Sequence, residues 1–247
     1  MANPTLGERT FHPSLELNEN SHIMTINGTI IKTCLLGLLM TATFAYSWGL
    51  VLTGFADKAD MLYKGGLFGG LILALFICFG PKNKFLMIST PLYAMCEGLA
   101  LGYISALANK IYPGVVSQAA IGTIFTLFGM FFLYKTNLVK CTDKFRMVIM
   151  NSTLAIFGIY LLQFILGFFH ITIPGIFSNS LIGIGFSILV VAIASFNLIV
   201  DFDMIERFAG KIDKHFEWYC GFSLLVTIVW MYIEILNLLM KLQSRNN

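Results

Sequence analysis

Charge is what this sequence lacks. Only 12% of its 247 residues are Asp, Glu, Lys or Arg, about half of the roughly 25% that soluble domains carry. That shortage excludes a water-facing globular surface. With 57% hydrophobic residues and a mean hydropathy of +0.79, it leaves an integral membrane protein as the class. Cysteine has no pattern: Cys34, Cys78, Cys96, Cys141 and Cys220 are scattered and odd in number, so neither a disulfide framework nor a metal spacing is expected. The four histidines, His12, His22, His170 and His215, share no helix face. No HExxH, GxSxG or phosphate-cradling loop occurs. The expectation is therefore a protein that is not an enzyme and carries no cofactor. The net charge of +3 comes from Lys and Arg lying between apolar blocks, with no basic stripe to meet nucleic acid.

What is present is apolar length, rich in Phe (23 residues) and Met (12). The first 22 residues are polar, with Glu8, Arg9, Glu16 and Glu19, and the apolar block that follows is too long for the core of a signal peptide. Residues 1–27 are expected to form a polar tail that stays on the side where it was made, and 28–243 a membrane domain. A crossing needs roughly 20 mostly apolar residues. That rule predicts spans at about 30–54, 65–80, 85–108, 115–135, 147–168, 181–203 and 219–240. The fifth and sixth share the 54 uncharged residues between Arg146 and Asp201, divided at "HITIPG" and "SNS". With seven spans, eleven of the sixteen Lys and Arg residues fall on the side of the N-terminal tail and five on the other. This bias orients the tail to the cytoplasm and the C-terminus outside.

An ionisable group within a span is expensive unless it faces a cavity or a partner. Three candidates lie at depth: Glu97, Asp201 and Glu234. In "VDFDMIER", Asp203 lies four residues before Arg207, so that pair, with Glu206, reads as chemistry of the membrane edge. Asp201 aligns instead with Asn197, one turn deeper, and with Ile205. Glu234 follows sixteen uncharged residues and precedes six, with Asn237 on its face. Glu97, in "YAMCEGLALG", lies one residue off a small-residue face of Ala94, Gly98 and Gly102 suited to close helix approach. A structural anchor and a pore-lining acid are both open for it. Burial and a second carboxylate raise a carboxyl pKa while a bound cation lowers it, and facing carboxylates titrate as a unit. Protons and divalent cations would then compete for one site.

Three stretches, "CEGLALG", "LIVDFDMIE" and "MYIEILNLL", resemble motifs of the Bax inhibitor-1 family (the transmembrane Bax inhibitor motif family), its bacterial branch in particular, over about residues 28–243. The resemblance implies an all-α integral membrane protein of seven transmembrane helices, six surrounding the C-terminal one, in a bacterial inner membrane. It also implies a pH-sensitive calcium leak governed by two acids from the sixth and seventh helices. Those acids fall on Asp201 and Glu234, which would also be the groups to meet a calcium ion, with Glu97 a further acid of the ion pathway and Asp203 a rival for the place of Asp201. Calcium ions, protons and membrane lipids are the implied partners, with membrane proteins as further ones. The chain departs from the family pattern by having Glu rather than Asp at 234 and Asp-Phe-Asp rather than Tyr-Asp-Thr at the sixth-helix motif. It also has no arginine in the second span, which only Lys64, Lys82 and Lys84 flank. A non-conducting scaffold or regulator of membrane proteases or stress responses is the alternative, and a proton-coupled transporter a third.

Overall fold

The computed structural model describes residues 23–169, 173 and 175–246. The polar tail, with Glu8, Arg9, His12, Glu16, Glu19 and His22, lies outside them, as do His170 and most of the break at 170–175. Among the described residues the chain is all-α. Its helices are α1 (Ile26–Leu52), α2 (Ala56–Phe79), α3 (Leu86–Ile111), α4 (Val115–Lys135), α5 (Asp143–Gly167), α6 (Leu181–Phe208) and α7 (Phe216–Asn246). All seven are long and apolar enough to cross a membrane, as the seven expected spans require. Outside the helices, Ile23 is bridged to Asp213.

Helix centres agree with the expected spans; helix ends extend further. The largest difference is α2, which begins at Ala56 rather than near 65. Hydropathy marks the hydrocarbon-crossing part, whereas the helix continues through charged residues that it can pair. Asp60 and Lys64 are bridged at 2.6 Å one turn apart, and Asp57 stands in the first turn, where a negative charge favours the helix dipole. Thr25 caps α1, accepting from Gly28 N at 3.0 Å, and Thr142 caps α5, accepting from Phe145 N at 3.2 Å. Each satisfies a backbone donor that the first turn leaves open.

The chain forms two compact units. One contains α1, α2 and α3 with Met204–Val226, the segment joining the end of α6 to the start of α7. Within it α3 packs against both α1 and α2. The small-residue face of α3 accounts for the closeness to α1: a Cβ at Gly98 would strike the Met40 carbonyl oxygen and Thr43 Oγ1, and one at Gly102 would meet Ser47 Cβ at 2.9 Å. The other unit contains α4, α5, α6 as far as Asp203 and α7 from Thr227. Burial is uneven among the helices. Half or more of the apolar window of α3, α6 and α7 is buried, against 22% or less for the other four, whose Phe- and Leu-rich faces are left for lipid.

Candidate functional site

In the unit built on α4 and α5, two polar contacts set the register of α6 against α7. Thr227 Oγ1 donates to Asp201 Oδ2 at 2.6 Å, and Lys241 Nζ donates to Ser187 Oγ at 2.9 Å. Asp201 and Ser187 are fourteen residues apart on α6, and Thr227 and Lys241 fourteen apart on α7. The helices are thus antiparallel and in step, and Glu234 falls midway, opposite the buried Ala194. On α7, Thr227, Glu234 and Lys241 follow at seven-residue intervals, nearly one face, each step about 10 Å along the axis. The seam therefore carries an ordered series: an acid at Asp201, an acid at Glu234 and an ammonium at Lys241.

Both acids are desolvated. Asp201 is 0% exposed and Glu234 3%. Glu234 Oε1 accepts from the Tyr160 hydroxyl at 2.8 Å and from Trp230 Nε1, one turn earlier, at 3.1 Å. Phe186 stands edge-on to the Tyr160 ring. One turn before Asp201, Asn197 donates through Nδ2 to Thr153 Oγ1 at 2.8 Å and to the Ile193 carbonyl at 2.9 Å. Its Oδ1 is buried and accepts from no donor among the described residues. Thr227, Tyr160 and Trp230 are neutral donors. A carboxylate held out of water is costly as an anion even with neutral donors beside it; a proton or a cation relieves that cost, as the Lys241 ammonium does in part for Glu234. The seam is chemically able to take up either.

Asp203 belongs to the same unit and has a partner outside its own helix, Arg146 of α5. Its Oδ2 accepts from Arg146 Nη2 at 2.5 Å, with the two side chains only 14% and 10% exposed. Beside them, burial, with the Asp203 carboxylate adding to it, pushes the Cys141 thiol up to about 11. Glu206 and Arg207 are exposed, as an interfacial role requires. Asp201, Asp203 and Glu234 are thereby brought into one unit. The hydrogen bonds place Asp201 and Glu234 on successive levels of the α6–α7 seam, each with its own partners.

Glu97 lies in the unit of α1 to α3, hydrogen-bonded by Tyr93 one turn earlier, with Oε2 against Gly70 of α2, where a Cβ would stand 3.3 Å from it. That unit also holds an acid that the sequence reading missed. Glu217 is fully buried and paired with Lys32, while Thr25 donates to it through N at 2.9 Å and Oγ1 at 3.0 Å. The available signal was Lys32, a cation within the expected first span and so in need of a partner. Lys82, just past α2, closes that helix by donating to the carbonyls of Ile77 at 2.5 Å and Cys78 at 2.6 Å, and lies over the Tyr219 ring. Burial lowers its ammonium pKa. No group of three or more His, Cys, Asp and Glu placed to hold a metal occurs among the described residues.

A family described as Bax inhibitor 1 like matches residues 3–244 of the chain. No curated protein and no solved structure matches it.

Proposed function

The chain belongs to the Bax inhibitor 1 like family, a family of membrane proteins that are not enzymes, and from that premise we propose that it is a proton-sensitive calcium leak. The observation that carries this reading is the α6–α7 seam, where Asp201 of α6 and Glu234 of α7 are both buried at successive levels about two turns apart, each accepting from neutral donors. In this reading the two acids act in series rather than as a touching dyad. When both are protonated the seam is neutral and offers a divalent cation nothing to bind. When they ionise, a calcium ion meets first one carboxylate and then the other, with the Asn197 Oδ1 acceptor beside the first. Low pH therefore closes the path and higher pH opens it. Glu97, beside Tyr93, is proposed as a further acid of the path. The membrane is proposed to be a bacterial inner membrane, with a cytoplasmic N-terminal tail at 1–27 and an outer C-terminus. Membrane lipids, calcium ions, protons and other membrane proteins are the proposed partners.

The test is calcium entry into proteoliposomes across a pH series. Asp201→Asn together with Glu234→Gln is expected to remove the pH response; flux with an unchanged pH profile in that double variant overturns the assignment. One observation favours the second reading, a non-conducting scaffold: every deep acid has a neighbouring donor, so the acids could serve only to hold helices. In that case wild type passes no calcium, and neutralising Glu234 or Glu97 lowers stability alone.

A further inference from the structure

Lys241 ends the series on α7, and its surroundings are not those of a lysine reaching for water. Its Nζ donates to three oxygens, the carbonyl of Ile176 at 3.2 Å, the carbonyl of Gly183 at 3.1 Å and Ser187 Oγ at 2.9 Å. These oxygens come from the turn before α6 and from its first two turns. Gly183 has to be glycine for that turn to close over the helix, because a Cβ there would stand 2.8 Å from the Gly175 carbonyl oxygen and 3.1 Å from that of Ile176. The result is a cradle of two carbonyls and a hydroxyl converging on one positive charge. None of the three acceptors is charged. Such a set suits a monovalent cation, since sites for calcium are built from six to eight oxygens that include carboxylates, whereas rings of carbonyls replace the hydration shell of alkali ions.

We infer that this cradle is a monovalent-cation site in which Lys241 serves as a tethered ion, and that the chain keeps the end of its acidic seam closed by seating its own ammonium there. Glu234 is the acid that acts electrostatically on that ammonium, so the tethered charge also compensates the seam. The site itself stands on the oxygens alone. Its effect on flux rests on the leak reading given above.

The experiment separates the two. Full-length wild type and Lys241→Ala are unfolded thermally in detergent at equal ionic strength in the chlorides of potassium, sodium, calcium and N-methyl-D-glucamine. The variant is expected to gain a rise in Tm in potassium or sodium over N-methyl-D-glucamine. That rise should grow with the logarithm of cation concentration, as ligand binding to the folded state requires, and should be missing in wild type, whose site is filled. An equal response of the two proteins overturns the inference, as does stabilisation of the variant by calcium alone. Should Lys241→Ala fold only in an alkali salt, the inference is supported. Should it, and Lys241→Met with most of the stem retained, fold in no salt, it is overturned. In proteoliposomes the variant is then expected to leak several-fold faster than wild type with its pH dependence retained. Cation-specific stabilisation without flux in either protein leaves the site standing and removes the leak; flux without it does the reverse.

Discussion

At the scale of single residues, long-range partners decide what each ionisable group does. Glu217 is buried with one cation, Lys32, and removing that cation strands a carboxylate. Lys32→Met is expected to destabilise by about 3–5 kcal/mol, and Lys32→Met with Glu217→Gln by clearly less. Thermal unfolding of the two single variants and the double variant measures that coupling. Tyr160→Phe, which deletes the hydroxyl donated to Glu234 but leaves Trp230 donating to the same oxygen, is expected to cost about 1–3 kcal/mol, the worth of one hydrogen bond to a carboxyl group, and to alter the pH profile of flux while Asp201 keeps its own donor. Cys141 gives a pH test outside the spans. With its thiol at about 11, the folded protein holds that proton where the unfolded chain, near 8.5, has lost it. Its contribution to stability is complete below about 8.5 and falls as pH rises toward 11. Alkylation in the folded protein should climb through that same window, and a rate that levels off near pH 8.5 contradicts the burial described. Asp201 and Glu234 could be found in the sequence because each interrupts an apolar run. Glu217 and Arg146 could not be assigned so, because the partners that define them are 185 and 57 residues away and no local spacing encodes such a pairing.

At the scale of elements, close packing and register carry the account. The face of Ala94, Gly98 and Gly102 was readable because small residues every four positions can only mean close approach; which helix approaches was not readable, and it is α1. Gly98→Val is expected to destabilise by about 1–3 kcal/mol through overpacking against the backbone of Met40. Gly37→Ala on α1, where a Cβ meets nothing within 4 Å, is expected to be neutral or to stabilise by about 0.5–1 kcal/mol. Unfolding curves of the two variants check the contrast, and equal effects contradict the packing. Helix ends were the least legible part, since hydropathy reports where hydrocarbon begins and not where hydrogen bonding stops. The charged first turn of α2 and the extension of α7 past Lys241 both follow from this. The step of α6 against α7 lay beyond any sequence pattern. Thr227, Ser187 and Ala194 look like ordinary residues of apolar helices until Asp201, Lys241 and Glu234 are set opposite them.

At the scale of the whole molecule, a chain short of charge by half has placed its few buried acids where each meets a donor, and two of them along the seam between α6 and α7. Seven apolar helices were legible from the apolar runs of the sequence and the break at 170–180, and the family match over 3–244 agrees with that reading. The orientation drawn from the excess of Lys and Arg predicts that a membrane-impermeant thiol reagent added to intact cells will spare a cysteine placed in the 136–142 loop and modify one placed at 112–114; the opposite pattern contradicts it. The most direct test of the central claim is calcium flux through the purified protein in liposomes, measured from acid to alkaline pH, for wild type and for Asp201→Asn with Glu234→Gln. The account predicts a wild-type leak that rises with pH and a double variant whose flux no longer responds to pH; a wild type that passes no calcium at any pH, or a double variant with the wild-type profile, contradicts it.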